Sequence, residues 1–89
     1  MIIEVDIVTL EVRVNGTNVC ETTMDKMHNM RDFAREHLNV KGNSTYYTIL
    51  DGKIASQHDV EITTAWMISD YLLGITTYVE MIKSAEESK

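Results

Sequence analysis

Two dipeptides, Asn15-Gly16 and Asp51-Gly52, constrain this chain more than anything else in it. Each sits between runs with alternating apolar residues, in EVRVNGTNVCE (11–21) and YYTILDGKIAS (46–56). Both central residues of a two-residue hairpin turn take positive φ, which Asn, Asp and Gly tolerate and most side chains do not. The first turn is expected to pair Val12 with Val19 and Val14 with Thr17, and the second to pair Ile49 with Ile54. Upstream, Val8, Leu10, Val12 and Val14 alternate cleanly, whereas Val5 and Ile7 fall in the opposite phase. A bulge near Ile7 and Val8 would join the two phases within one strand.

Between the hairpins, TTMDKMHNMRDFAREHLNV reads as a helix. Thr22 or Thr23 can cap it, Asp25 suits its positive end, and Asn39 can take the left-handed position that closes it. Met27, Met30, Ala34 and Leu38 form one apolar face, bordered by His37. Asp25, His28, Asp32 and Glu36 share the opposite one.

The last element begins at SQHDVEITTAW, where Ser56 and Asp59 make a capping box, and runs to about Ser84, leaving 84–89 to fray. Val60, Met67, Tyr71, Ile75, Tyr78 and Ile82 stack along one line of this helix, widened by Ile68, Leu72 and Val79. Ile62, Trp66 and Leu73 make a second patch on a separate side. One helix with two apolar sides implies contact on both. Either the first helix covers the second patch, or another molecule does. Read as continuous from 59 to 84, the helix is roughly 39 Å long. Strands of five to seven residues span only about 17–24 Å, so the last turns overhang the sheet. Gly74 either ends the helix, with Thr77 and Glu80 opening a new one, or lies within it. The apolar line keeps its phase from Tyr71 through Ile75 to Tyr78, which favours continuity. Gly74 would then mark a close crossing with the same helix of a neighbour.

The resulting expectation is a single α+β domain over 1–89, of order ββαββα. Its two hairpins form a four-stranded antiparallel sheet, and the long C-terminal helix packs on the sheet and on a neighbouring subunit. Over its first two-thirds the element order resembles that of the ubiquitin-like β-grasp proteins. It departs from them at 59–84, where helical spacing replaces a final strand. The likeness is one of element order without a motif, and no function is carried over from it.

Composition narrows the function. A chain of 89 residues buries only about two-thirds of the surface it exposes when unfolded, so a partner subunit helps it. Fourteen acidic against eight basic residues give a net charge of −6, which disfavours direct nucleic-acid binding. No apolar run reaches the roughly 18 residues of a membrane span. Its beginning, MIIEVDIVTLEV, lacks the basic flank and cleavage site of a signal peptide, and Cys20 is the only cysteine. A cytoplasmic chain without a membrane partner is expected.

Catalytic signatures are missing: there is no Gly-rich phosphate loop, paired-Cys metal pattern or nucleophile elbow. His28, Asp32 and Glu36 are spaced for one helical face, but mixed with Asp25 and Arg35 they read as a solvated surface. No metal or cofactor is expected. His37 reads as packing, His58 as a turn residue before the last helix. Cys20, with Glu21 and Asp6 near it, reads as an inert thiol. Two functions remain. One is a small acidic, non-enzymatic interaction module that self-associates and docks on a larger protein, inhibiting it, as accessory proteins of viruses and mobile elements do. Its interface residues would be Ile62, Trp66, Leu73, Gly74, Tyr78 and Met81. The other is an oligomeric binder of a small, nucleotide-like anion, with Tyr46, Tyr47, Arg31, Arg35 and Lys53 around pockets between subunits.

Overall fold

The computed structural model describes residues 1–38 and 41–87. Asn39, the expected end of the first helix, lies outside them. Strands β1 (Ile2–Asp6), β2 (Glu11–Val14) and β3 (Thr17–Glu21) come first. Helix α1 (Met24–His37), strands β4 (Ser44–Leu50) and β5 (Lys53–Val60), and helices α2 (Ile62–Leu72) and α3 (Tyr78–Glu87) follow. Among the described residues the strands form one five-stranded mixed sheet of order β3-β2-β1-β4-β5. Its central pair, β1 and β4, runs parallel, and the other three pairs are antiparallel.

The α+β class is as expected, but the four-stranded antiparallel sheet and the order ββαββα are not. The extra strand arises where a bulge was expected. Asp6 Oδ1 accepts hydrogen bonds from the Val8 and Thr9 amides at 2.9 and 3.0 Å, and the Leu10 amide donates to the Asp6 carbonyl at 2.8 Å. Leu10 takes φ +65° to complete the reversal. An aspartate-centred turn thus splits one presumed strand into β1 and β2, which explains the two phases. The parallel pair follows from the long return through β2, β3 and α1, since parallel neighbours need a crossover.

Both glycine hairpins form as expected, with Val14 opposite Thr17 and Ile49 opposite Ile54. Asn15 and Asp51 stand at φ +51° and +52°. A register shift beyond the first turn places Cys20, not Val19, opposite Val12.

Alternation along the strands puts Ile3, Val5, Val12, Tyr46 and Val60 on one face, where they meet Met30, Phe33 and Ala34 of α1 and Ile68, Tyr71 and Leu72 of α2. Thr23 caps α1 by accepting from the Lys26 amide. The other face carries Glu4, Glu11 and Arg13, joined by ion pairs of 3.6–3.8 Å.

The end of the chain differs most from expectation. β5 continues to Val60, so Ser56 and Asp59 are strand residues rather than a helix cap, and α2 starts at Ile62. Nor is the helix continuous to 84. Gly74 stands at φ +83°, its amide donates to the Tyr71 carbonyl at 3.0 Å, and the Ile75 amide donates to the Asp70 carbonyl at 2.8 Å. These two bonds are the Schellman termination of a helix. Three residues on, the Thr77 amide donates to Glu80 Oε1 at 3.1 Å and the Glu80 amide to Thr77 Oγ1 at 3.2 Å, a reciprocal capping box that opens α3. Length supplies the reason. The 11 residues of α2 span about 17 Å, within reach of the sheet, and the break folds the overhang back. α3 then extends to Glu87, burying Met81 and Ala85.

Candidate functional site

Helix α2 buries Ala65, Ile68, Ser69, Tyr71 and Leu72. At about 100° per residue Ile62, Trp66 and Leu73 fall together on a neighbouring flank, roughly 110° round from the centre of the buried stripe. They are 49%, 57% and 40% exposed, so α1 does not cover them. The arrangement leaves a tryptophan ring between two aliphatic side chains on one open helix face. Two residues assigned by spacing to the core line, Ile75 and Val79, are also largely exposed. The break at Gly74 is the cause: it turns the chain so that the wheel of one continuous rod no longer applies.

The remaining expected interface residues separate. Gly74 serves positive φ rather than a helix crossing; a Cβ built on it would lie 3.4 Å from Lys26 Nζ of the same chain. Tyr78 is half-buried with its ring 5.7 Å from that of Tyr71. Burial, then the carboxylates of Asp32 and Glu36, push the Tyr78 hydroxyl above its ordinary pKa. Met81 is buried in the core of its own chain and offers no surface. Tyr71 is held by Asn29 Nδ2, which donates to its hydroxyl at 2.9 Å, and by Lys26 Nζ at 5.6 Å from its ring centre.

A second feature lies between α1 and the β4–β5 end of the sheet: a groove of about 800 Å³. Ile7, Met24, Met27, Met30 and Ala34 supply its apolar surface, with the ring of Tyr46. His28, Arg31 and Arg35 border it from α1, and His58 from β5. Thr48 and Ser56 hydroxyls, hydrogen-bonded to one another, complete its polar part. Of the expected ligand contacts, the groove gathers Tyr46, Arg31 and Arg35. Tyr47 lies on the other sheet face and Lys53 at the far end of its hairpin, so neither joins them. His28, His58, Thr48 and Ser56 were missed. Reading 53–60 as a strand would have put Ser56 and His58 opposite Thr48 and Tyr46, on one face. Burial pushes the Tyr46 hydroxyl strongly upward, which keeps it protonated.

The other chemistry-bearing residues have structural surroundings. His37 packs its ring 4.9 Å from Phe33, with its Nδ1 buried and without a hydrogen-bond partner among the described residues. His58 is a strand residue whose ring lies 6.5 Å from Tyr46. Cys20 points its thiol at the Leu72 carbonyl, 3.7 Å away. Burial raises the Cys20 pKa and Lys26 opposes the rise; Glu21 and Asp6 are not the cause. Among the described residues, no three His, Cys, Asp or Glu side chains gather to hold a metal ion, and no helix is long and apolar enough to cross a membrane. No protein-family model matches this chain, and no curated protein or solved structure matches it either.

Proposed function

We propose that this chain is a small acidic, non-enzymatic interaction module that self-associates, and docks on a larger protein, through the outer face of α2. One observation carries the reading: Trp66 is 57% exposed between Ile62 and Leu73, on a helix whose other side is already fully packed. An exposed tryptophan centred in an aliphatic patch is the composition found at the anchors of protein interfaces. Of the two covers the sequence expectation weighed for this patch, α1 turns its buried residues to the core, and the exposure of the patch supports the reading in which a second molecule covers it. The net charge of −6 limits nonspecific clumping while leaving this patch free to act.

Sedimentation velocity and light scattering across a concentration series test the proposal. The native chain should change from monomer to a defined oligomer, and Trp66→Ala should weaken that association about tenfold or more. A monodisperse native monomer at high micromolar concentration would remove self-association. Affinity capture from the native cell, comparing the native chain with Trp66→Ala, then names the larger partner as the protein lost with the tryptophan.

A further inference from the structure

We infer that the groove between α1 and the β4–β5 end of the sheet binds an amphipathic anion, an alkyl chain carrying a carboxylate or phosphate head. The site shares no residue with the outer face of α2, and it needs no second subunit.

Charge is the first argument. The chain carries 14 acidic residues, yet among the described residues no Asp or Glu lines this groove. Instead two guanidiniums and two imidazoles border it. Arg31 and Arg35 are one turn apart on α1, so their Cβ atoms lie about 5–6 Å from one another. That spacing lets two guanidiniums close on the oxygens of a single head group, the contact in which Arg surpasses other donors. Arg31 makes no ion pair among the described residues. Arg35 meets only Asp32, at 3.8 Å with both side chains well exposed, a contact an incoming anion displaces at little cost. Asp32 and Glu36 also push the Tyr78 hydroxyl of α3 upward, and neither lines the groove.

The floor argues for the rest of the ligand. Met24, half exposed, and Met27, partly buried, stand along α1 beside the fully buried Met30, and the inward residues of β5 facing them are Ser56 and His58 rather than apolar side chains. Methionine is unbranched and adaptable, suited to a flexible chain rather than one rigid shape. The ring of Tyr46 is itself buried, so it presents no free face for stacking a nucleotide base. A volume of about 800 Å³ lies within the range of small-molecule sites, which are mainly apolar with a few placed polar groups.

Titrating the ¹⁵N-labelled chain with laurate and, separately, dodecyl phosphate tests this, each kept below its micelle concentration. Saturable amide shifts should appear at 24–35 and 46–58, and the head group that binds more tightly identifies the source of the ligand. Arg31→Gln with Arg35→Gln should weaken binding about tenfold or more, because charge-assisted hydrogen bonds are lost. Both side chains are exposed, so the variant keeps its fold, which its own amide spectrum verifies. Met24→Glu at the groove mouth should also weaken binding, whereas Trp66→Ala should leave it unchanged. Dodecanol binding as tightly as laurate, inorganic phosphate producing the same shifts, or shifts centred on Trp66 would each overturn the assignment. So would no saturable shift with either anion.

Discussion

The chain has one phenylalanine and one tryptophan, and its helices treat them in opposite ways. Phe33 on α1 is wholly buried against the sheet, while Trp66 on α2 stands outside it. Both lie on helices that otherwise bury an ordinary stripe, so the contrast is not one of helix against loop. α1 spends its aromatic on its own core. α2 satisfies the core with Ala65, Ile68, Tyr71 and Leu72 and has its largest apolar side chain left over. Surplus surface is better evidence for a partner than total hydrophobicity, because scattered exposed apolar residues are normal and a tryptophan-centred patch is not.

Paired substitutions give the largest effect and can break the contrast. Phe33→Ala should cost about 3–5 kcal/mol in urea denaturation, the usual range for emptying an aromatic site in a core. Trp66→Ala, measured at a concentration where the chain is monomeric, should cost within about 1 kcal/mol. Equal losses would mean that Trp66 belongs to the core, and the proposed interface would go with it.

The two glycine hairpins were legible, whereas the split at Asp6, the parallel centre of the sheet, the second half of β5 and the helix break were not, for reasons that particular residues make plain. Asn15-Gly16 and Asp51-Gly52 announce their turns because the residues around them alternate, so local and tertiary signals agree. The turn at Asp6 has no glycine; its left-handed position falls on Leu10, a residue that gives no warning. Phe33 lies at the edge of the line through Met27, Met30, Ala34 and Leu38, so helical spacing alone does not mark it as core. At Gly74 the apolar phase runs on from Tyr71 to Tyr78, imitating one rod, although Gly74 followed by Thr77 and Glu80 held both termination signals. The candidate interface was half visible. Ile62, Trp66 and Leu73 could be grouped by helical spacing alone, but Met81 needed knowledge of the break. The groove residues of β5 stay hidden as long as 56–60 read as the approach to a helix, because only strand alternation brings Ser56 and His58 onto one face.

Gly74→Ala sharpens the comparison through the sign of its effect. In the middle of a continuous helix, replacing glycine by alanine stabilises by about 1 kcal/mol. At φ +83° the same change should destabilise by roughly 1–2 kcal/mol, because the new Cβ crowds the following carbonyl. Lys26 Nζ, 3.4 Å from that Cβ, ends a flexible side chain and can move aside, so the cost is conformational rather than steric. Circular dichroism and urea midpoints on the two proteins decide it. A gain in stability together with higher helicity would restore the single rod, and the outward placement of Ile75 and Val79 would no longer follow.

The smallest effect belongs to Asp6, whose turn sends β2 and β3 beneath the end of α2, where the Cys20 thiol reaches the Leu72 carbonyl. Backbone hydrogen bonds from Thr9 and then Val8 hold the Asp6 carboxyl below its ordinary pKa. A lowered folded-state value means that Asp6 contributes to stability above the usual carboxylate range, and that the contribution fades as pH falls through the lowered value. An NMR titration following the Asp6 side-chain carboxyl should therefore find its midpoint below the usual 3.8. Asp6→Asn retains an acceptor for the two amides without the titrating charge, so it should keep the turn while removing this part of the acid dependence. Asp6→Ala retains neither and should lower the melting temperature at neutral pH more than the amide does. A normal Asp6 midpoint would show that the carboxylate does not hold the reversal, leaving the split between β1 and β2 to Leu10 and the strand pairings alone.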